Sequence, residues 1–195
     1  MVDAAFDFTA QMHILCRDIA SRMSTFQHVD MQRVVVGFSQ TRRAHRWGLQ
    51  AKLTPMRFEG GSLTTKKRGL SWTVQRVYHE GREMLYILTF YLPRFLNQSF
   101  DDKLVTVFHE LFHIHPEFNG DLRRLDGHFH VHSRSQEQYD RHMAQFVRDY
   151  LRQGPPEEVL GFLRLNFGRL TRRHGKIVGL RLPVPKLIRL AQGSA

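Results

Sequence analysis

Apolar residues recur along this chain with two different periods. Over residues 4–24, Phe8, Met12, Leu15, Ile19 and Met23 fall three or four apart, which predicts an amphipathic helix with Cys16 packed along it. Residues 32–39, QRVVVGFS, are short and β-branched, and residues 53–58, LTPMRF, run into Gly60-Gly61; both predict strands. The stretch between them, 40–52, is basic and irregular, and predicts a surface connection. LSWTVQRVY and EMLYILTFYL flank the glycine turn of HEGR, which predicts a hairpin over 70–92 closed by Pro93.

A helical period then returns. Ser99 stands three residues before Asp102, a capping-box spacing. Leu104, Val105, Phe108, Leu111 and Phe112 follow as one stripe, and Pro116 and Asn119-Gly120 stop the helix. Residues 117–132 predict a loop containing the short strand HFHVH. A further helix over 136–152, capped by Ser133 or Ser135, ends at Gly154-Pro155-Pro156. Beyond it, bases alternate with aliphatics up to a Pro-x-Pro tail, which fits short strands or an extended arm. The expected fold is α+β and compact, with a small sheet packed against the helix that starts at Ser99.

Composition narrows the class. At 195 residues, 42% hydrophobic and 24% charged, the chain is long enough for a real core. No apolar run approaches the roughly 20 residues of a membrane helix, so no membrane insertion is expected. The opening MVDAAFDFTAQ carries acids where a secretion signal carries bases. A lone cysteine makes no internal disulfide and no Cys-rich zinc ribbon. The expected location is cytoplasmic.

Charge is unevenly spread. The formal net charge is +11, and residues 159–195 hold eight bases and no acid. That leaves +3 for residues 1–158. The expected organisation is a folded domain over 1–158 and a basic C-terminal extension over 159–195. Nucleic acid, an anionic lipid surface or an acidic partner would be attracted to such an end; solvation alone also explains it.

The chemistry lies in HELFH, residues 109–113. Four residues are close to one helical turn, so His109 and His113 project from one face, the geometry in which two imidazoles ligate one zinc ion at ~2.0–2.1 Å. Glu110 can reach water beside such a metal without ligating it, and act as general base. With 12 His and 8 Glu in the chain, chance alone gives an H-E-x-x-H somewhere roughly 3% of the time. The capped helix around it makes the motif more specific than that.

A catalytic zinc site needs a third protein ligand. The spacing that supplies a histidine six residues on fails, because Pro116 and Asn119 stand where Gly and His would be. GHFHVHS offers His128, His130 and His132, which share one direction if extended. His132, just ahead of the next helix, is favoured, then His128, then Glu137; an Asp ligand would be Asp140. Tyr139 and Arg141 are candidates to stabilise an oxyanion, and Asp121 and Asp126 to accept from the outer imidazole N–H groups. A solvated surface explains each of these four singly.

HELFHIHPEFNGDLRRLDG followed by HVHSRSQEQYD resembles the metallopeptidases of phages and some bacteria, distantly akin to SprT-like and minimal gluzincin zinc peptidases. The resemblance covers roughly residues 29–152 and is strongest over 105–140. It implies a zincin-like core, zinc held by His109, His113 and His132, and catalysis by Glu110; the expected protein or peptide substrate rests on the chemistry of the motif itself. SprT-like proteins with DNA-linked substrates often carry a Cys-rich ribbon, which this chain lacks. The competing class is a nucleic-acid-associated module that uses the basic C-terminal segment, with a structural or vestigial metal.

Overall fold

The computed structural model describes residues 5–41, 48–124 and 134–191, with the side chains of 134–140 outside that description. In chain order the elements are β1 (Phe6–Asp7), α1 (Phe8–Arg22), β2 (Val34–Gln40), β3 (Ala51–Pro55), β4 (Thr64–Lys67), β5 (Leu70–Val74), β6 (Tyr78–His79) and β7 (Arg82–Glu83). They continue with β8 (Tyr86–Leu92), α2 (Phe100–Phe112), α3 (Arg134–Arg152), α4 (Glu157–Leu160), α5 (Phe167–His174), β9 (Ile177–Val178) and β10 (Leu187–Arg189). The fold is α+β and compact. No helix among the described residues is long and apolar enough to cross a membrane.

The central sheet has the order β2-β8-β3, with β8 parallel to β2 and antiparallel to β3. Strand alternation sends successive side chains to opposite faces. Val34, Val36, Phe38, Tyr86, Leu88 and Phe90 therefore enter the main core with α1 and α2. Val35 and Ile87 face the other way, into a smaller cluster with Met56 and Met84. Burial on both faces explains why VVVGF reads as an unbroken apolar run. Leu180 and Leu182 pack on the second face with Val74 and Val77, and at the sheet's edge Phe38 donates its N–H to Leu180 O at 2.9 Å, where a Cβ on Gly37 would lie 3.1 Å from that oxygen.

The hairpin expected over 70–92 divides in two. The glycine turn is real, but it closes only the two-residue ladder of β6 and β7. The strands flanking it belong to different sheets. β5 lies between β4 and β10, whereas Leu85 donates to Arg33 O at 2.9 Å and so starts β8 alongside β2.

Residues past 158 pack into the same core as those before it. Val159, Leu160, Phe162, Leu163 and Leu170 belong to the main cluster, and β9 pairs in parallel with β1. The helix α5 stands where strands or an arm were expected; Asn166 caps it by accepting from Arg169 N–H at 2.8 Å. Lys103 of α2, 2% exposed, donates to Leu163 O at 2.7 Å and Leu165 O at 2.9 Å. Burial pushes its pKa down to about 8, and the carbonyls left open by the turn over Gly161–Arg164 receive it.

Candidate functional site

The site is assembled around α2. Ser99 caps the helix, accepting Asp102 N–H at 3.1 Å and donating its hydroxyl to Asp102 Oδ2 at 2.7 Å. Asp101 and Asp102 lie in the first turn, where carboxylates complement the helix dipole. Leu104, Val107, Phe108 and Leu111 bury one side. Phe108 and Phe112 meet α3 through Phe146, which fixes how far the last turn of α2 projects.

That last turn carries the chemistry. His109 and His113 are half-buried, and their Nε2 atoms are 3.0 Å apart. Burial lowers the pKa of His109. Burial, then the neighbouring His109 and Arg123, bring His113 down to about 4. Both rings are therefore neutral near pH 7, the form that ligates a metal. Two nitrogens on a tetrahedral zinc with bonds of ~2.0–2.1 Å would be about 3.3 Å apart, close to the separation observed. The pair fits two positions of such an ion.

Glu110 points from the same turn towards the sheet. It is buried, and its Oε2 accepts Leu53 N–H at 2.6 Å. Leu53 is registered opposite Leu88, and its N–H turns away from β8 to the open edge of β3. Burial raises the carboxyl to about 7, against the opposing pull of that N–H and of Lys52. A carboxyl poised near neutrality can both take and return a proton.

The loop after the helix folds back on it. Arg123 N–H donates to His113 O at 2.8 Å, Ile114 bridges to Leu122, and the Arg123 guanidinium lies 4.2 Å from the centre of the Phe112 ring. Tyr86 locks this loop to the sheet: its hydroxyl donates to Asp121 O at 2.8 Å and accepts Gly120 N–H at 3.0 Å. Gly120 has φ +88, and a Cβ there would lie 2.5 Å from Arg57 Cγ. Gly120→Ala is expected to cost about 1–3 kcal/mol, read as a lower urea midpoint at unchanged m-value.

Of the residues expected at the site, the structure brings together His109, His113 and Glu110. His132 and His128 lie outside the described residues, as do His130 and Asp126 and the side chains of Glu137, Tyr139 and Asp140. Among the described residues no third His, Cys, Asp or Glu joins the pair. Asp121 is turned to other work. Its carboxylate accepts from Gly60 N–H at 3.0 Å, Leu122 N–H at 2.8 Å and Arg124 at 3.2 Å. Arg141 is exposed. The element missed from sequence is the edge of β3: the strand itself was legible, but not that the Leu53 N–H would meet Glu110.

Comparison with known protein families, with curated proteins and with solved structures finds no match to the chain.

Proposed function

We propose that this protein is a zinc-dependent peptidase of the zincin type, cleaving peptide bonds by addition of water. One observation carries the reading: two neutral imidazoles converge at 3.0 Å on the same helical turn as a buried carboxyl raised to about 7, beside the open edge of a strand. His109 and His113 would hold the ion, with His132 the favoured third ligand and His128 and Glu137 the alternatives. When bound, zinc supplies a Lewis acid that polarises the scissile carbonyl.

The chain's own residues supply the rest. Glu110 takes a proton from water as its oxygen adds to the carbonyl carbon. It returns that proton to the departing amide nitrogen as the C–N bond breaks. An extended peptide would align along β3 through the strand's outward carbonyls, since Glu110 holds the outward Leu53 N–H and Pro55 has none. The substrate is accordingly a protein or peptide in extended form.

Metal content tests this directly. Protein purified without a polyhistidine tag is expected to contain about one zinc per chain by plasma mass spectrometry, lost in His113→Ala. Loss in His132→Ala as well would fix the third ligand; retention there would move it to His128 or Glu137. A wild-type protein that takes up no zinc when the ion is added back would end the proposal.

A further inference from the structure

The second, outlying sheet joins two acid-free stretches of sequence. Residues 62–76 carry Lys66, Lys67, Arg68 and Arg76 with no Asp or Glu, and residues 159–195 carry eight bases with none. More than a hundred residues separate β5 from β10, yet the two are hydrogen-bonded neighbours, with Ile188 opposite Thr73 and Arg189 opposite Trp72. β4 completes the sheet on the far side of β5, with Thr64 opposite Thr73 and Lys66 opposite Ser71.

The two faces of this sheet differ. Val74 packs on the smaller core cluster with Met56 and Met84, so Thr73 and Ser71, one residue out of phase, point away from the body. Their cross-strand partners put Thr64 and Lys66 on the same outward face. Lys186 borders it, donating its N–H to Gln75 Oε1 at 3.4 Å and accepting Gln75 N–H at 2.8 Å. Arg68 stands at the turn between β4 and β5, whereas Lys67 and Arg189, opposite Leu70 and Trp72, fall on the other face. All five cations are exposed.

Two acids that flank this sheet in sequence are engaged in ion pairs. Glu83 pairs with Arg57 at 2.8 Å and Arg76 at 3.6 Å, and Glu59 with Arg124 at 2.6 Å. No ion pair among the described residues involves Lys66, Lys67, Arg68, Lys186 or Arg189. The sheet is a one-signed surface made by tertiary pairing, not by a run of bases in the sequence.

We infer that the β4-β5-β10 sheet is a docking surface for nucleic acid, held through its phosphates. Cations set beside the hydroxyls of Thr64 and Ser71 match phosphodiester oxygens, which accept from both. A lipid surface fits less well. The exposed apolar residues Leu187 and Ile188 are consecutive in one strand, so they point to opposite faces and cannot enter a bilayer together. Contacts of this kind carry no base sequence, and affinity should fall steeply with salt.

The inference is independent of the peptidase reading and is tested on the full chain. Fluorescence anisotropy would follow a labelled 20-base-pair DNA duplex and a single-stranded RNA of equal length from 50 to 200 mM salt. Three phosphate contacts, from Lys66, Arg68 and Lys186, give a slope of log K against log salt of about −3 on the duplex. The triple variant Lys66→Gln/Lys67→Gln/Arg68→Gln should lose about 2 of that slope, and Lys186→Gln/Arg189→Gln about 1. Arg169→Gln/Arg172→Gln, on α5, is the control for overall charge and should bind within about twofold of wild type. Preference for duplex or RNA would name the natural source, and either supports the surface. No binding of either at 50 mM salt would overturn it. So would equal losses in sheet and α5 variants, or binding of phosphatidylserine vesicles in place of both nucleic acids.

Discussion

Glu110→Gln should abolish hydrolysis while leaving the metal in place. The amide keeps the length and shape of the carboxyl, and its oxygen can still accept Leu53 N–H. What it loses is the ability to accept a proton from water. General-base catalysis typically contributes ~10²–10⁴-fold, and kcat should fall by about that much. KM should change little, because Glu110 is not asked to bind the peptide. Zinc stoichiometry should equal that of the wild type, since His109 and His113 are untouched. Undiminished turnover by this variant would refute the mechanism, and loss of zinc would recast Glu110 as a ligand.

The same substitution carries a second expectation, of opposite sign, in the metal-free protein. Glu110 titrates at about 7 in the folded chain, raised from 4.5 chiefly by burial. A group whose pKa is raised on folding favours the fold when protonated. Its contribution is full below about 4.5 and is lost as pH rises through 7. Glutamine cannot ionise and suffers no such loss. With zinc removed by chelation, Glu110→Gln should therefore match the wild type at pH 4.5 and exceed it at pH 8, by up to about 3 kcal/mol. Urea unfolding at the two pH values reads the difference. A residue that destabilises the fold at working pH is more economically explained by chemistry than by structure.

What could be seen in the sequence was what is local. The helix from Ser99 announces itself through its cap and apolar stripe, and the His109–His113 spacing follows from helical geometry alone. Strand partners are not local. Nothing in QRVVVGFS or EMLYILTFYL states that the two run side by side in parallel, and the glycine turn at Gly81 argued for a different pairing. The turn formed, but the Leu85–Arg33 hydrogen bond took the following strand elsewhere. The C-terminal helices were hidden for another reason. The bases of residues 159–189 drew attention to charge, whereas Asn166 and the Glu157-Glu158 pair were ordinary helix-start signals. The meeting of Glu110 with Leu53 depends on strand register, and so does the joining of Lys66 with Lys186 across three strands. Both became visible only once the sheets were built.

Phe108→Ala should be the most damaging single truncation in the core. The ring is fully buried and stands edge-on to Phe26 at 5.3 Å and Tyr150 at 5.7 Å, and stacked on Phe146 at 6.2 Å. It thus ties α2 to α3 and to the turn following α1. Truncating such a phenylalanine costs about 3–5 kcal/mol, from about a fifth to the whole of the stability of an ordinary domain. Cys16 offers an independent probe. Its side chain is fully buried and burial pushes its thiol up to about 12, so a thiol reagent reacts only when the chain opens. Where reclosing outpaces reaction, the labelling rate tracks the open population, and Phe108→Ala should raise it on the order of 10²–10³-fold. Phe108→Leu, which keeps most of the volume, should raise it far less. Because His109 follows Phe108 on the helix, zinc and packing act on the same turn. An ion that binds only the folded chain stabilises it in proportion to the logarithm of its concentration over its dissociation constant. Added zinc should then slow Cys16 labelling in Phe108→Ala but leave it unchanged in Phe108→Ala/His113→Ala. Equal protection in both would show that the ion binds elsewhere, and would separate the metal site from the helix that the aromatic cluster holds in place.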